Sequence, residues 1–145
     1  MRRRTTIAVG LVVLGVALAG CDGVRLPFVE VQACASWVSY ETDEERAAGS
    51  QAVVVTSSVE SDGTTRIMEY DTNVYLVTVD VAEKGDIAAG DKIRVASTAD
   101  ACGTYPYGDA AGDPMLGSTP LRLFLFDEGG TWRTITPFDG VRSAT

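Results

Sequence analysis

The chain has 145 residues, enough for one domain, and its 20 acidic residues against 12 basic ones give a net charge of −8. This acidic balance argues against nucleic acid as a partner, because binding a phosphate backbone needs a basic groove. The sequence contains no histidine and three cysteines. It therefore lacks the common Ser-His-Asp and Cys-His catalytic arrangements and has too few ligands for a structural zinc site. We predict no metal and no cofactor.

The first segment of the chain has the order of an export signal. Three arginines, Arg2 to Arg4, precede an almost wholly apolar run from Ile7 to Ala19, which is too short for a spanning helix. The four residues LAGC, from Leu18 to Cys21, resemble the lipobox of bacterial lipoproteins. In that family the leader is cut before the cysteine, whose thiol carries a diacylglycerol and whose amino group is often acylated. The resemblance implies a signal peptide over residues 1–20 and lipidation of Cys21. The alternative is an ordinary secretory signal with an incidental cysteine.

A lipidated Cys21 would hold the protein on the extracytoplasmic face of the cell membrane, and two or more acyl chains make such attachment lasting. Removal of the three leader arginines would change the net charge from −8 to −11. The lipid, rather than electrostatic attraction, would then keep the chain near an anionic membrane. Residues 21–33 are predicted to form a short tether, at most about 40 Å long when fully extended.

Cys34 and Cys102 remain once Cys21 is assigned to a lipid. Outside the cytoplasm two such thiols are free to oxidise with each other. We therefore expect a Cys34–Cys102 disulfide within a single domain over residues 34–145. The alternative is a pair of buried, reduced thiols.

The segment from Ser39 to Gly49 is predicted to form a short helix. Thr42 can cap its start, and Glu45, three residues later, completes a capping box. Gly49 is suited to its end. The charged residues in between are interpreted as a solvated helix face.

Five strands follow at short spacing, with mostly alternating polarity. In the first strand Val53, Val55 and Val59 are predicted to share one face, and Asp62-Gly63 after it has the chemistry of a turn. The fourth strand is apolar on both faces, as expected of a covered strand. The predicted strands are Ala52–Val59, Asn73–Ala82, Lys92–Ser97, Leu121–Phe126 and Thr131–Thr136. With one or two short helices, they indicate a mainly β fold, either a small barrel or a sandwich. Of the closed options, we predict a small five-stranded OB-like Greek-key barrel.

The order of these segments resembles the OB-fold modules of the netrin-like class, which includes the tissue inhibitors of metalloproteinases. The similarity covers about residues 34–141 and is sharpest from Val77 to Val95 and at Ala101-Cys102-Gly103. In those inhibitors a cysteine at the mature N-terminus pairs with a loop cysteine, and its free amino group chelates the protease zinc. Here Cys34 is preceded by residues 21–33, so that chelation does not carry over. Inhibition of a protease by another route is the alternative function.

Carboxylate pairs are the remaining catalytic option, since two acids in different environments can serve as general acid and base. The acids near turns, including Asp71, Asp86, Asp109 and Asp113, are interpreted as solvated, turn-forming residues rather than catalytic or calcium-binding ones. We therefore predict that the protein is not an enzyme.

The segment from Ala99 to Thr119 is long and rich in Gly and Pro, which is typical of binding loops or of disorder. Aromatic residues on such a loop give a large contact area at small entropy cost, although they can instead cover one end of a barrel. The predicted contact surface comprises Trp37, Tyr40, Tyr105, Tyr107, Met115 and Leu116. Together these features predict a lipid-anchored extracytoplasmic binding module with a protein or cell-envelope partner.

Overall fold

The computed structural model describes residues 34–145, except for residues 69, 101, 103–106 and 108–111. The predicted signal peptide, the lipidation of Cys21 and the tether lie outside the described residues. So does Tyr105.

One short helix and six strands make up most of the regular structure of the described residues. The helix α1 covers Asp43–Ala48, and a single turn of 3-10 helix covers Pro114–Leu116. The strands are β1 Ala52–Ile67, β2 Tyr70–Lys84, β3 Lys92–Ala96, β4 Leu121–Glu128, β5 Thr131–Thr134 and β6 Val141–Ser143. The last of these, β6, was not predicted.

The strands close into a ring. They follow the order β1-β2-β3-β5-β4, and β4 pairs again with β1. The β3–β5 pair is parallel and the other four pairs of the ring are antiparallel. The short β6 adds to β4 outside the ring. The mainly β, OB-like fold predicted from the sequence is confirmed.

The two apolar faces of β4 pack in different places. Leu121, Leu123 and Leu125 point into the main core of the barrel. Phe124 points the other way and packs with Val53. The helix α1 and the residues before it cover that second cluster, because Ala47 and Tyr40 pack against it. The helix thus removes from water the outer face of the strand, which explains why β4 is apolar on both sides.

The predicted turn at Asp62-Gly63 is wrong. Strand β1 continues through these residues to Ile67, and its pairing with β2 shifts register between Ser61 and Thr64. Gly63 has a φ of +94°, so the glycine serves a β-bulge rather than the hairpin turn. The strand therefore extends eight residues past Val59, the predicted end.

The prediction that Val53, Val55 and Val59 share one face of β1 is also wrong. Val59 packs against the barrel core, whereas Val53 belongs to the cluster beneath α1. The β1–β2 register shifts several times between Val53 and Ser58. Each inserted residue exchanges the two faces of a strand, so simple alternation fails over this stretch.

The helix starts as predicted, with a complete capping box between Thr42 and Glu45. Its C-cap is Gly49, whose backbone is right-handed, with a φ of −77°. A side chain at this position would place its Cβ 2.5 Å from Tyr40 Oη. Close packing against Tyr40, rather than a left-handed conformation, therefore accounts for the glycine.

The predicted disulfide is present between Cys34 and Cys102, with a Cα–Cα distance of 5.4 Å. It joins the segment before α1 to the segment after β3, which lie 68 residues apart in the chain.

Candidate functional site

Five of the six residues of the predicted contact surface are described, all but Tyr105, and they differ in burial. Met115 is a correction: it is 1% exposed and packs in the barrel core, so it cannot touch a partner. Its neighbour Leu116 is 71% exposed. Consecutive residues of a 3-10 helix point about 120° apart, so one can be buried while the next is exposed, and Asp113 caps this turn through the backbone N–H of Met115.

Trp37 and Tyr40 lie in the extended segment between Cys34 and α1. Trp37 is half-buried, and its indole N–H is buried without a hydrogen-bond partner among the described residues. Tyr40 is held in place, because its side chain packs on the Val53–Phe124 cluster and its backbone N–H donates to Asp139 Oδ2 at 3.2 Å. Tyr40 therefore serves the fold.

Tyr107 is half-buried against β2, where its hydroxyl accepts a hydrogen bond from the backbone N–H of Asn73 at 2.9 Å. Burial raises the pKa of Tyr107 to about 12, although the Asn73 hydrogen bond opposes the shift. Its hydroxyl is therefore neutral at physiological pH. This residue anchors the segment after β3 to the barrel.

Asp113 corrects the interpretation of the turn acids as solvated, because it is only 6% exposed. Its Oδ1 accepts hydrogen bonds from Ser97 Oγ at 2.6 Å and from the backbone N–H of Met115 at 3.0 Å. Its Oδ2 accepts from Tyr75 Oη at 2.6 Å and from Asn73 Nδ2 at 2.9 Å. Four donors satisfy a buried carboxylate, so this cluster holds the chain together and offers no free group for chemistry.

A different set of residues lines a surface cleft. It lies among the distal part of β1, strands β2 and β3, and the turn between β4 and β5, and its volume is about 280 Å³. We call it the Trp132 cleft. The residues that line it are Thr65, Val74, Ile93, Arg94, Gly130, Thr131 and Trp132.

The floor of the Trp132 cleft is apolar. Trp132 and Ile93 are half-buried and pack against the barrel core, and Val74 is buried beside Ile67 and Ala96. These side chains are fixed by the packing behind them. They therefore present a preformed apolar surface toward the cleft.

The rim of the cleft is polar and carries a balanced charge. Arg94 lines the cleft and is paired with Asp62 on β1, which stands beside the lining residues; Arg94 Nε and Asp62 Oδ2 are 2.5 Å apart. Both side chains are exposed, at 63% and 42%. The hydroxyls of Thr65 and Thr131 add groups that both donate and accept hydrogen bonds.

Trp132, Ile93 and Arg94 were not predicted as site residues from the sequence. A signal was present, since Trp132 is an aromatic residue two positions after the Gly129-Gly130 turn, near the start of a strand. The pairing of Arg94 with Asp62 could not be expected, because the sequence pattern places Asp62 in a turn rather than in a strand.

Two further features concern anchoring and metals. In the described part of the chain, no helix is both long and apolar enough to cross a membrane. Among the same residues, no three Cys, Asp or Glu side chains lie close enough together to hold a metal ion.

Comparisons with known proteins add no family to this picture. No protein-family model, curated protein or solved structure matches the chain.

Proposed function

We propose that this protein is a lipid-anchored extracytoplasmic binding module that takes its ligand in the Trp132 cleft. The observation that carries the proposal is the position of the cleft in an OB-like ring of strands. OB barrels bind their ligands on the face of strands 2 and 3, between the loops that join strands 1–2 and 4–5. The cleft lies at this place, with Val74 on β2, Arg94 on β3 and Gly130 in the β4–β5 turn.

The chemistry of the cleft supports binding rather than catalysis. Its ionisable pair, Arg94 with Asp62, is exposed and mutually neutralised. A preformed apolar floor with a few polar groups at its rim is typical of a recognition site.

The lipid anchor rests on the sequence alone. The LAGC stretch that ends at Cys21 and the preceding apolar leader support it. A Cys21→Ser variant is expected to move from the membrane fraction to the soluble fraction and to lose labelling by an alkyne-bearing fatty acid. Unchanged labelling of that variant would contradict lipidation at Cys21.

A position-specific cross-link tests the binding site and captures whichever ligand occupies it. Thr131, which lines the cleft, is replaced by a photoreactive benzoylphenylalanine in the full chain, expressed in its native cells. The control carries the same photoreactive residue at Asp86, which is exposed in the β2–β3 connection and does not line the cleft. Irradiation should give adducts from position 131 and not from position 86.

Equal adduct formation at both positions, or none at position 131, would contradict a ligand site in this cleft. A protease recovered as the adduct would instead favour the inhibitor alternative. Identification of the adduct by mass spectrometry thus separates the two functions in one experiment.

A further inference from the structure

We propose that the ligand of the Trp132 cleft is a neutral oligosaccharide, bound with one sugar ring against Trp132 and its hydroxyls at the Arg94–Asp62 pair. This inference rests on the proposed function and names the ligand class of the same site. It follows from the floor, the rim, the charge and the size of the cleft.

The floor selects a ligand with an apolar face. Trp132 contributes a wide, flat indole, and Ile93 continues the apolar surface beside it. The aliphatic C–H groups of a sugar ring form such a face, and burying them against an aromatic ring removes apolar area from water.

The rim selects a ligand edge that both donates and accepts hydrogen bonds. Asp62 can only accept and Arg94 can only donate, while Thr65 and Thr131 do both. Adjacent sugar hydroxyls offer a donor and an acceptor on each oxygen. They can therefore add hydrogen bonds to the remaining N–H groups of Arg94 and to the carboxylate oxygens of Asp62, while the direct 2.5 Å contact between the two side chains stays intact.

The charge argues against an anionic ligand. The only cation that lines the cleft within the described residues is Arg94, and Asp62 already neutralises it. The chain as a whole has a net charge of −8, so a phosphate or carboxylate would be repelled on approach. A nucleotide or an acidic polysaccharide therefore fits this site poorly.

The volume of the cleft limits the part of the ligand that enters it to a small group. The cavity of about 280 Å³ lies just below the roughly 300 Å³ at which small-molecule pockets begin. One sugar ring fits this space, and the neighbouring rings of an oligosaccharide would extend along β3, where Lys92 and Arg94 are exposed.

Tryptophan fluorescence gives a direct test, because Trp37 and Trp132 are the two tryptophans of the chain. The full chain is purified in a detergent that contains no sugar, and the Trp37→Phe variant leaves Trp132 as the single reporter. Cellotetraose, maltotetraose and chitotetraose are the neutral probes. Tetragalacturonate is the anionic comparison, and a neutral tetrapeptide is the comparison for a protein ligand.

At least one neutral tetrasaccharide should change the Trp132 emission saturably, and tetragalacturonate should bind at least about tenfold more weakly. Arg94→Met and Asp62→Asn should each weaken binding about tenfold, the effect of one or two lost hydrogen bonds. Lys92→Met is the matched control. Lys92 is exposed on the same strand as Arg94, but it neither lines the cleft nor belongs to the Arg94–Asp62 pair, so binding should not change.

Three outcomes would overturn the proposal: no neutral tetrasaccharide binds at millimolar concentration, the anionic sugar or the peptide binds better, or Arg94→Met and Asp62→Asn leave binding unchanged. Titration calorimetry on the unmodified chain replaces fluorescence if Trp37→Phe does not fold. The photo-cross-link at position 131 distinguishes a wrong ligand class from a wrong binding site. A protein adduct there without sugar binding would refute only the ligand class, whereas neither adduct nor sugar binding would refute both.

Discussion

Tyr75 on β2 donates a 2.6 Å hydrogen bond from its hydroxyl to Oδ2 of Asp113, a residue 38 positions later in the chain. Both residues are buried. Through its other oxygen Asp113 accepts from Ser97, directly after β3, and from the backbone of the 3-10 turn. One carboxylate thus joins the second strand, the end of the third strand and the segment that leads to the fourth. The end of the long segment from Ala99 to Thr119 is thereby fixed to the barrel.

Replacing Tyr75 with Phe should lower the free energy of unfolding by about 1–3 kcal/mol, because a buried carboxylate loses one of its four donors. Tyr107→Phe is the comparison. Its hydroxyl accepts from the half-buried Asn73 N–H, which water can reach more easily, so its effect should be smaller. Urea unfolding at neutral pH measures both. A larger loss for Tyr107→Phe would contradict the assigned roles.

Stability should fall at alkaline pH through the same two tyrosines. Burial, followed by the hydrogen bond to Asp113, raises the pKa of Tyr75, and burial raises the pKa of Tyr107 to about 12. A tyrosine in the unfolded chain has a pKa of about 10. Between these values the folded state binds more protons, so the stabilisation is complete below pH about 10 and is lost as the pH rises toward 12.

Urea midpoints at pH about 9 and about 11 test this dependence. The unmodified chain should lose more stability over that interval than the Tyr75→Phe, Tyr107→Phe double variant, which lacks both titrating groups. Equal losses would show that other groups cause the alkaline decline.

The disulfide should be a major source of stability. It closes a loop between residues that are 68 positions apart, and cross-linking a loop of this size contributes on the order of 4 kcal/mol in the chain-entropy model. A Cys34→Ser, Cys102→Ser double variant should lose a stability of this order in thermal or urea unfolding. Non-reducing peptide mapping provides the control. A free thiol at either position in the unmodified protein would refute the pairing.

The ion pair beneath α1 should be sensitive to the loss of one partner. Arg46 and Asp139 are both buried, and Arg46 Nη2 lies 3.0 Å from Asp139 Oδ1. Asp139→Asn should cost on the order of 3 kcal/mol, because a buried guanidinium then lacks its main counter-charge. Asp43, at 2.9 Å from Arg46 Nη1, remains and moderates the loss.

Asp62→Asn is the matched control for that measurement, since it breaks the exposed Arg94–Asp62 pair. Exposed pairs contribute at most about 1 kcal/mol, so this variant should unfold close to the unmodified chain. Similar losses for the two Asp→Asn changes would mean that burial does not govern the Arg46–Asp139 pair.

The features that the sequence by itself determined are those set by near neighbours in the chain. The capping box of Thr42 and Glu45 involves residues three positions apart, and the alternation within the central part of β2 and in β3 indicates which residues face the core, such as Tyr75, Val77 and Val95. The Cys34–Cys102 pairing followed from the assignment of Cys21 to a lipid, without any distance between the two thiols. The number and spacing of the strands indicated a small barrel or a sandwich, and the pairing of β1 with β4 shows that the strands close into a ring.

Only the tertiary structure decided the features that depend on contacts between distant segments. Asp113 looks like a turn residue, and its burial depends on donors from Asn73, Tyr75 and Ser97. The Trp132 cleft exists because the bulged β1 lies near the β4–β5 turn. A bulge exchanges the two faces of a strand at one point. The alternation of polar and apolar residues in the sequence does not reveal where that point is. Sequence periodicity therefore predicts which residues form strands in this protein, but not which of those residues lie together in one site.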